Sequence, residues 1–333
     1  MENMSSIVVS LSAFVITAIL GAMLIPILRK MKFGQTILEE GPSWHKAKEG
    51  TPTMGGIMFI GGIVIAVIIG YFVATSFDKN LLKAKELTYL FGGLIMALLF
   101  GLIGFLDDYI KVVKKQNLGL SAAQKLILQI IVTVLYLFFI YYFCGKSTSM
   151  NVPFFGEWDM GVFYYPVMGI LIVGIVNSTN LTDGIDGLLG SVTFVVGIFF
   201  IIASSVFGFL GMSILSSALA GGCLGFLCYN LHPAKVFMGD TGSLFLGGMV
   251  VALAFGMNAP FLLFLVGFIY CVESLSVMLQ VLSVKIRGKR IFRMSPIHHH
   301  YEMGGMSEKN IVIFFSSVTA VMCLIAFFSI KLI

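Results

Sequence analysis

Apolar residues fill this chain in long blocks that carry no polar face, unlike the one-sided stripe of a surface helix. Blocks near the ~20 residues that carry a helix across a hydrocarbon core of about 30 Å can be laid out at about 7–28, 54–72, 87–106, 126–143, 162–176, 188–209, 213–229, 243–257, 261–282 and 311–330. The pattern predicts an all-α integral membrane protein of about ten transmembrane helices, forming a single polytopic domain over residues 1–333. The longest polar segments are 29–53 and 285–310, so any chemistry must be built at the membrane face. The first block has no basic segment before it and runs directly into Arg29 and Lys30. That predicts a retained helix and not a cleaved signal peptide. The ninth block continues in pattern through Val284 to Arg287, so this helix is expected to bend at the membrane surface.

Composition sharpens the picture: 58% of residues are hydrophobic and 11% charged, with a mean hydropathy of +1.01, values that exclude an ordinary water-soluble domain. Cytoplasmic loops retain Lys and Arg. Of the 21 basic residues, only Lys79, Lys83, Lys85, Lys146 and Lys331 fall outside if the N-terminus is external. Both termini are therefore expected outside, with an active-site cleft on the cytoplasmic face. The net charge of +5 reads as this topogenic bias together with attraction to anionic membrane lipid; no nucleic-acid partner is expected. Cys144, Cys223, Cys228, Cys271 and Cys323 lie in or beside apolar blocks without metal-ligand spacing and read as packing. Paired glycines such as Gly55-Gly56, Gly221-Gly222 and Gly247-Gly248 suit close helix packing in lipid.

Against this background the few acids stand out, because they recur where an apolar block meets a polar loop. Asp107-Asp108 closes the third block, with Lys111 one turn on. Adjacent helical positions are about 100° apart, so the two carboxylates are expected to do different work. Carboxylates at a helix C-terminus oppose the macrodipole, which favours a proton-accepting or cation-binding role over a solvated end. Lys111, Lys115 and Lys125 would then neutralise phosphate. Asn180, Asp183 and Asp186 are spaced i, i+3, i+6, so a helical segment would align three oxygen-bearing side chains suited to sugar hydroxyls, a uracil ring or hydrated Mg²⁺; capping of the next helix is the competing role. The stretch from Asn230 through His232-Pro233, Phe237 and Gly239-Asp240-Thr241-Gly242-Ser243 is expected to open a helix whose free N–H groups meet phosphate. Asp240 there serves either as a metal ligand or as an N-cap, and Phe237 as a base platform or as packing. In Ser295-Pro-Ile-His298-His299-His300-Tyr-Glu302 the three consecutive histidines suit hydrogen bonds to phosphate or proton movement near neutral pH. Gly50-Thr-Pro-Thr-Met-Gly-Gly, after Lys46 and Lys48, adds another phosphate-friendly turn.

Taken in order, these motifs resemble the polyprenyl-phosphate N-acetylhexosamine-1-phosphate transferases over essentially the whole chain. The Pro-Ile-His-His-His-Tyr-Glu form resembles the muramoyl-pentapeptide branch of that family. The resemblance implies transfer of phospho-N-acetylmuramoyl-pentapeptide from UDP-N-acetylmuramoyl-pentapeptide to undecaprenyl phosphate, with release of UMP and a requirement for Mg²⁺, at a bacterial cytoplasmic membrane. By the same resemblance Asp240 is the magnesium ligand and Asp107 with Asp108 the acid pair at the lipid phosphate. Asn180, Leu181, Asp183, Asp186, Asn230 and Phe237 correspond to nucleotide and sugar contacts. Lys48, Thr53, Lys111, Lys125, Gly239, Ser243, Gln280, Ser295, His298, His299 and His300 form the surrounding shell, and a homodimer is the assembly implied.

Two other readings remain open at this point. The N-acetylglucosamine-1-phosphate branch of the family would use a different nucleotide sugar. A transporter would place its acids near the bilayer midplane at broken helices, yet only Glu273 approaches mid-span. The segment around Glu157, Trp158 and Asp159 has no assigned role.

Overall fold

The computed structural model describes residues 2–30, 48, 50–77, 82–114, 118–145 and 147–331. Lys32, Lys46, Lys79, Lys115 and Lys146 lie outside the described residues. Ten of the described helices are long and apolar enough to cross a membrane: α1 (Glu2–Lys30), α2 (Gly56–Phe77), α3 (Ala84–Lys114), α4 (Ala122–Cys144), α5 (Tyr164–Thr182), α6 (Leu188–Phe207), α7 (Leu210–Asn230), α8 (Gly239–Gly256), α10 (Phe268–Arg287) and α12 (Glu308–Lys331). Two short helices, α9 (Leu263–Val266) and α11 (Ile297–Glu302), complete the set. The apolar blocks thus mark the spans, and several helices overrun them at a polar end, as α3 does to Lys114 and α5 to Thr182, whereas α6 stays within its block.

Helices α7 and α8 form the centre, buried along almost their whole length, with α8 packed against α2, α3 and α5. Small residues set how closely these helices approach. A Cβ at Gly104 of α3 would run into the Asp240 carbonyl at the start of α8, so this glycine brings the ends of two helices, and their acids, together. Around that centre the outer helices expose large apolar side chains such as Ile7, Phe72, Phe138 and Ile313, as a lipid-facing surface requires.

The ninth block differs from expectation. Its break lies near its start, where Pro260–Leu262 forms a 3-10 turn, α9 follows, and α10 restarts after Gly267; the helix then runs on to Arg287 before Gly288 ends it in the left-handed region at φ 65°. Proline lacks the N–H that an uninterrupted helix would need there. The unassigned segment between α4 and α5 is an antiparallel hairpin, β1 (Ser149–Val152) with β2 (Gly156–Asp159), in register Met150 to Trp158. It is tied to the α8–α9 connection by the Asn151 N–H, which donates to the Asn258 carbonyl at 2.9 Å. Four of the five cysteines are buried or half-buried, whereas Cys228 is exposed on α7.

Candidate active site

The ends of α3, α5, α7 and α10 and the starts of α4, α6, α8 and α12 bring the predicted polar residues to one end of the bundle. Two linked clusters result.

The first is built on α3 and α8. Asp107 and Asp108 are both buried and, as adjacent helical positions require, they turn to different partners. Asp107 Oδ1 accepts the Leu120 N–H at 2.8 Å, and its Oδ2 lies 2.5 Å from Lys111 Nζ one turn on. Asp108 reaches across to α8: Oδ1 accepts the Asp240 N–H at 3.2 Å, while Oδ2 accepts the Thr241 N–H at 2.9 Å and the Thr241 hydroxyl at 2.6 Å. A carboxylate from another helix therefore caps α8, whose own N-cap position, Met238, offers no side-chain bond. This overturns two expectations. Asp240 is not an N-cap, and two of the first N–H groups of α8, those of Asp240 and Thr241, are engaged by Asp108, not left free for phosphate.

Released from capping, Asp240 faces the mouth. Its Oδ2 lies 2.8 Å from Lys125 Nζ and 3.1 Å from Lys111 Nζ, and its Oδ1 accepts from Asn180 Nδ2 at 2.8 Å. Asn180 Nδ2 also lies 2.8 Å from Ser243 Oγ. Gly239, at φ 71°, is required here, since a Cβ would press on Asp108 Oδ2 and on Thr53 Oγ1. Thr53 is delivered by the 50–56 turn, in which Pro52 O accepts the Phe237 N–H and Gly55 N–H donates to Phe237 O, both at 2.8 Å. Phe237 itself is half-buried beside this strand-like contact.

The second cluster gathers around Asp186. Lys48 Nζ donates to Asp186 Oδ1 and to Glu308 Oε2, each at 2.7 Å. Asp186 Oδ2 accepts the Ala234 N–H at 2.9 Å and lies 3.1 Å from His232 Nδ1. Glu308 Oε2 also accepts the Asp186 N–H at 3.0 Å. The predicted row of Asn180, Asp183 and Asp186 does not form, because α5 ends at Thr182 and Asp183 leaves the helix at φ −80°, ψ 53°. The turn sends Asn180 to the first cluster and Asp186 to the second. Next in the turn, the Gly187 N–H donates to Asn230 Oδ1 at 3.1 Å, and Asn230 Nδ2 donates to the Val236 carbonyl at 2.9 Å.

Asp183 sits between the clusters. Crowding by protein, reinforced by the negative charges of Asp240, Asp108 and Asp186, pushes its carboxyl up to about 8. A carboxyl raised in the folded state destabilises the fold increasingly as pH climbs from its ordinary value of 3.8 to the raised value, and the penalty is complete above it. Asp183→Asn is therefore expected to unfold at the same temperature as the parent near pH 4. It should gain at least about 2 °C by pH 9, read by thermal unfolding in detergent. A gain that failed to grow with pH would refute this electrostatic assignment.

The histidine run does not act as a unit. It forms α11, whose turn separates the three rings. His298 is fully buried and lies 3.0 Å from Glu273. His299 Nδ1 meets Glu302 Oε2 at 2.9 Å. His300, expected in the site, instead accepts the Arg293 N–H at 3.2 Å and packs on Phe292 and Tyr301. Gln280 is likewise committed to structure: its Oε1 accepts the Ile291 and Phe292 N–H groups, and its Nε2 donates to Phe292 O. Leu181 is exposed at the end of α5 and Ser295 half-buried just before α11. Thr241 and His232, which the sequence marks only as part of the 230–243 stretch, and Glu308, which it does not mark, take side-chain roles at the site. The only sequence signal for Glu308 was an acid opening the last span, a position that ordinary helix capping also explains.

Three carboxylates, Asp107, Asp108 and Asp240, offer oxygens within 4.8 Å of one another. Lys111 Nζ already bridges Asp107 and Asp240, so the spot accommodates a cation among hard oxygen donors, the ligand class that Mg²⁺ selects. Asp186, His232 and Glu308 make a second such group, but Lys48 occupies its carboxylates. Alongside the first cluster, an apolar groove of about 890 Å³ opens between α4 and α5, lined by residues including Leu126, Ile130, Phe138, Ile170, Val173 and Gly174. Leu126 follows Lys125, so the groove begins beside the acid cluster.

Residues 48–60 match signature 1 of the phospho-N-acetylmuramoyl-pentapeptide-transferases, and residues 90–258 match the Glycosyl transferase family 4 profile. The phospho-N-acetylmuramoyl-pentapeptide-transferase of Clostridium perfringens (strain 13 / Type A) is 46% identical over 318 residues, 95% of this chain and 96% of the relative. The chain belongs to the phospho-N-acetylmuramoyl-pentapeptide transferase family. Other members are similarly near: the transferase of Halalkalibacterium halodurans is 45% identical over 95% of this chain and 94% of its own length. That of Heliobacterium modesticaldum is 48% identical over 88% of each. As a member of this family, the protein is a multi-pass membrane transferase, and the two clusters described above are its candidate machinery.

Proposed function

We propose that the enzyme transfers phospho-N-acetylmuramoyl-pentapeptide from UDP-N-acetylmuramoyl-pentapeptide to undecaprenyl phosphate, with Mg²⁺, at a cytoplasmic cleft of the bacterial membrane. One observation carries this reading: a cluster of acids and lysines stands at the head of an apolar groove, so a phosphate and a hydrocarbon tail can be held side by side. The positive-inside pattern supports a cytoplasmic mouth, since Lys48, Lys111 and Lys125 all line the site face.

The reaction joins an oxygen of the lipid phosphate to the sugar-linked phosphorus of the nucleotide donor, and UMP leaves with the broken phosphoanhydride oxygen. Both reactants are anionic, so their approach is opposed until charge is neutralised. Mg²⁺ held by Asp240 would supply that neutralisation. Lys111 and Lys125, released from Asp240 to phosphate oxygens, add to it and orient the acceptor. Proton acceptance falls to Asp107, whose Oδ2 faces the Lys111 ammonium, whereas both Asp108 oxygens are spent on α8. The lipid phosphate has its second pKa near 6, so a carboxylate nearby can take the residual proton. On the nucleotide side, Asp183, Asp186, Asn230, Phe237 and the Lys48 pair surround the 183–187 turn.

The groove yields its own prediction. Gly174 lines it, and a Cβ there meets nothing within 4 Å. Gly174→Leu should fill the groove without disturbing packing, raising KM for undecaprenyl phosphate about tenfold, on the scale of lost apolar burial. The KM for the nucleotide should stay constant. An unchanged lipid KM would remove the tail from this groove.

Transfer is tested with radiolabelled donor in detergent, with Mg²⁺ or with chelator. Metal-dependent lipid product from UDP-N-acetylmuramoyl-pentapeptide, and none from UDP-N-acetylglucosamine, is expected. Product from the latter alone would assign the sister branch. The transport reading finds no support in the placement of the acids, since Glu273, the one near mid-span, is paired with His298.

A further inference from the structure

Glu273 is fully buried on α10, within a helix that otherwise suits the membrane. An ionised carboxylate sealed from water is costly unless a cation or hydrogen-bond donor meets it. Among the described residues its one ion-pair partner is His298, with Oε1 3.0 Å from Nδ1. The His298 backbone N–H points to Oε2 at 3.5 Å. The histidine is also fully buried; Nδ1 and Oε1 meet at ion-pair distance without completing a hydrogen bond, and the far side of the ring, Nε2, has no partner of either kind among the described residues. That atom faces Gly184, where a Cβ would collide with it. Gly184 is itself exposed, so one glycine backbone separates Nε2 from the open face, in the turn that carries Asp183 and Asp186. The other ionisable groups around the ring are His299, whose ring centroid lies 4.2 Å away, and Glu302, which is engaged with His299.

We propose that Glu273 is a positioning residue: its carboxylate holds His298 with the protonated Nδ1 inward and the bare Nε2 aimed at the 183–186 turn, ready to accept from a hydroxyl or N–H of the bound nucleotide. The arrangement repeats a general device, in which a buried carboxylate fixes the tautomer and direction of an imidazole whose other nitrogen does the work. A ring nitrogen left unmet directly beneath the turn calls for a partner, since buried polar atoms are normally satisfied. The inference rests on the transferase reading, because the nucleotide supplies the missing donor.

The test uses the full-length enzyme in detergent. Glu273→Gln keeps the shape of the side chain and removes its charge. It should raise the KM for the nucleotide donor about 10- to 100-fold, the range seen when a group orienting a histidine is lost, while the KM for undecaprenyl phosphate stays constant. Glu273→Asp should recover part of the loss. In a His298→Gln background, adding Glu273→Gln should change UMP binding less than about twofold, because residues acting as one unit are not additive. The inference is overturned if Glu273→Gln leaves the donor KM unchanged, if both KM values rise together with a lowered unfolding temperature, or if the two substitutions add. Nitrogen-15 NMR of the imidazoles reads the pair without turnover. The resonance that His298→Gln removes should report a protonated Nδ1 in the parent and shift in Glu273→Gln. An intact signature in a parent that transfers nothing would refute the transferase reading while supporting the pair; an unshifted one would refute the pair.

Discussion

Asp240→Asn is expected to lower kcat/KM for lipid-linked product by about 10³-fold while the bundle stays folded. Asparagine preserves the oxygen that accepts from Asn180 Nδ2 at 2.8 Å, so the start of α8 keeps its tie to α5. What disappears is the negative charge that gathers Lys111 and Lys125 within 3.1 Å and 2.8 Å and completes the three-carboxylate group. Removing one electrostatic element from a preorganised, poorly solvated site costs on the order of 10²–10³ in rate, and loss of a metal ligand adds to it. Stability should fall modestly, because Lys111 retains Asp107 as a partner whereas Lys125 loses the carboxylate that meets it. The measurement is steady-state transfer beside thermal unfolding. Activity within tenfold of the parent would remove Asp240 from the centre of the reaction.

Asp108→Ala is expected to damage both fold and activity, which separates it from its neighbour. Its carboxylate accepts three hydrogen bonds from the start of α8, and a lost cap costs about 0.5–2 kcal/mol. Hydrogen bonds to a charged acceptor are worth about 1.5–3 kcal/mol each, though here they share one group and do not add. Two N–H groups of a buried helix end would be left unmet, so the unfolding temperature should fall by about 5 °C or more. Transfer should drop at least about 10²-fold because Asp240 loses its fixed direction. Asp108→Asn should recover much of the stability, since its carbonyl oxygen still accepts from α8. Asp107→Asn, by contrast, should lose activity with little change in unfolding. Equal unfolding temperatures for Asp108→Ala and Asp107→Asn would contradict the capping role.

Much of the architecture was legible in one dimension because a hydrocarbon solvent imposes a simple rule: a segment that crosses it must be apolar, about twenty residues long and internally hydrogen-bonded. The ten blocks obey that rule and the ten helices follow them. The different directions of Asp107 and Asp108 were also legible, since they follow from helical geometry alone. Residue types at the ends of the blocks marked where charge neutralisation is concentrated, and the motif order carried the family.

Other assignments depended on partners far away in the chain. Whether Asp240 caps its own helix is decided by Asp108, 132 residues earlier, which takes the N–H groups and frees Asp240 to face the lysines. The i, i+3 alignment of Asn180, Asp183 and Asp186 required a helix that stops at Thr182, so the same three residues serve different clusters. The histidine run reads as one feature in sequence, yet α11 turns one ring into the core, one toward Glu302 and one toward Arg293. Glu273 looked like an isolated acid until α11 folded over it. The sequence by itself therefore determined the span count, the helical class and the face on which polar chemistry collects, because solvent and helical period act locally. Which carboxylate caps, which holds the cation position and which orients a histidine was decided by tertiary structure alone, because a buried charge takes its role from the nearest donor, and that donor comes from another helix.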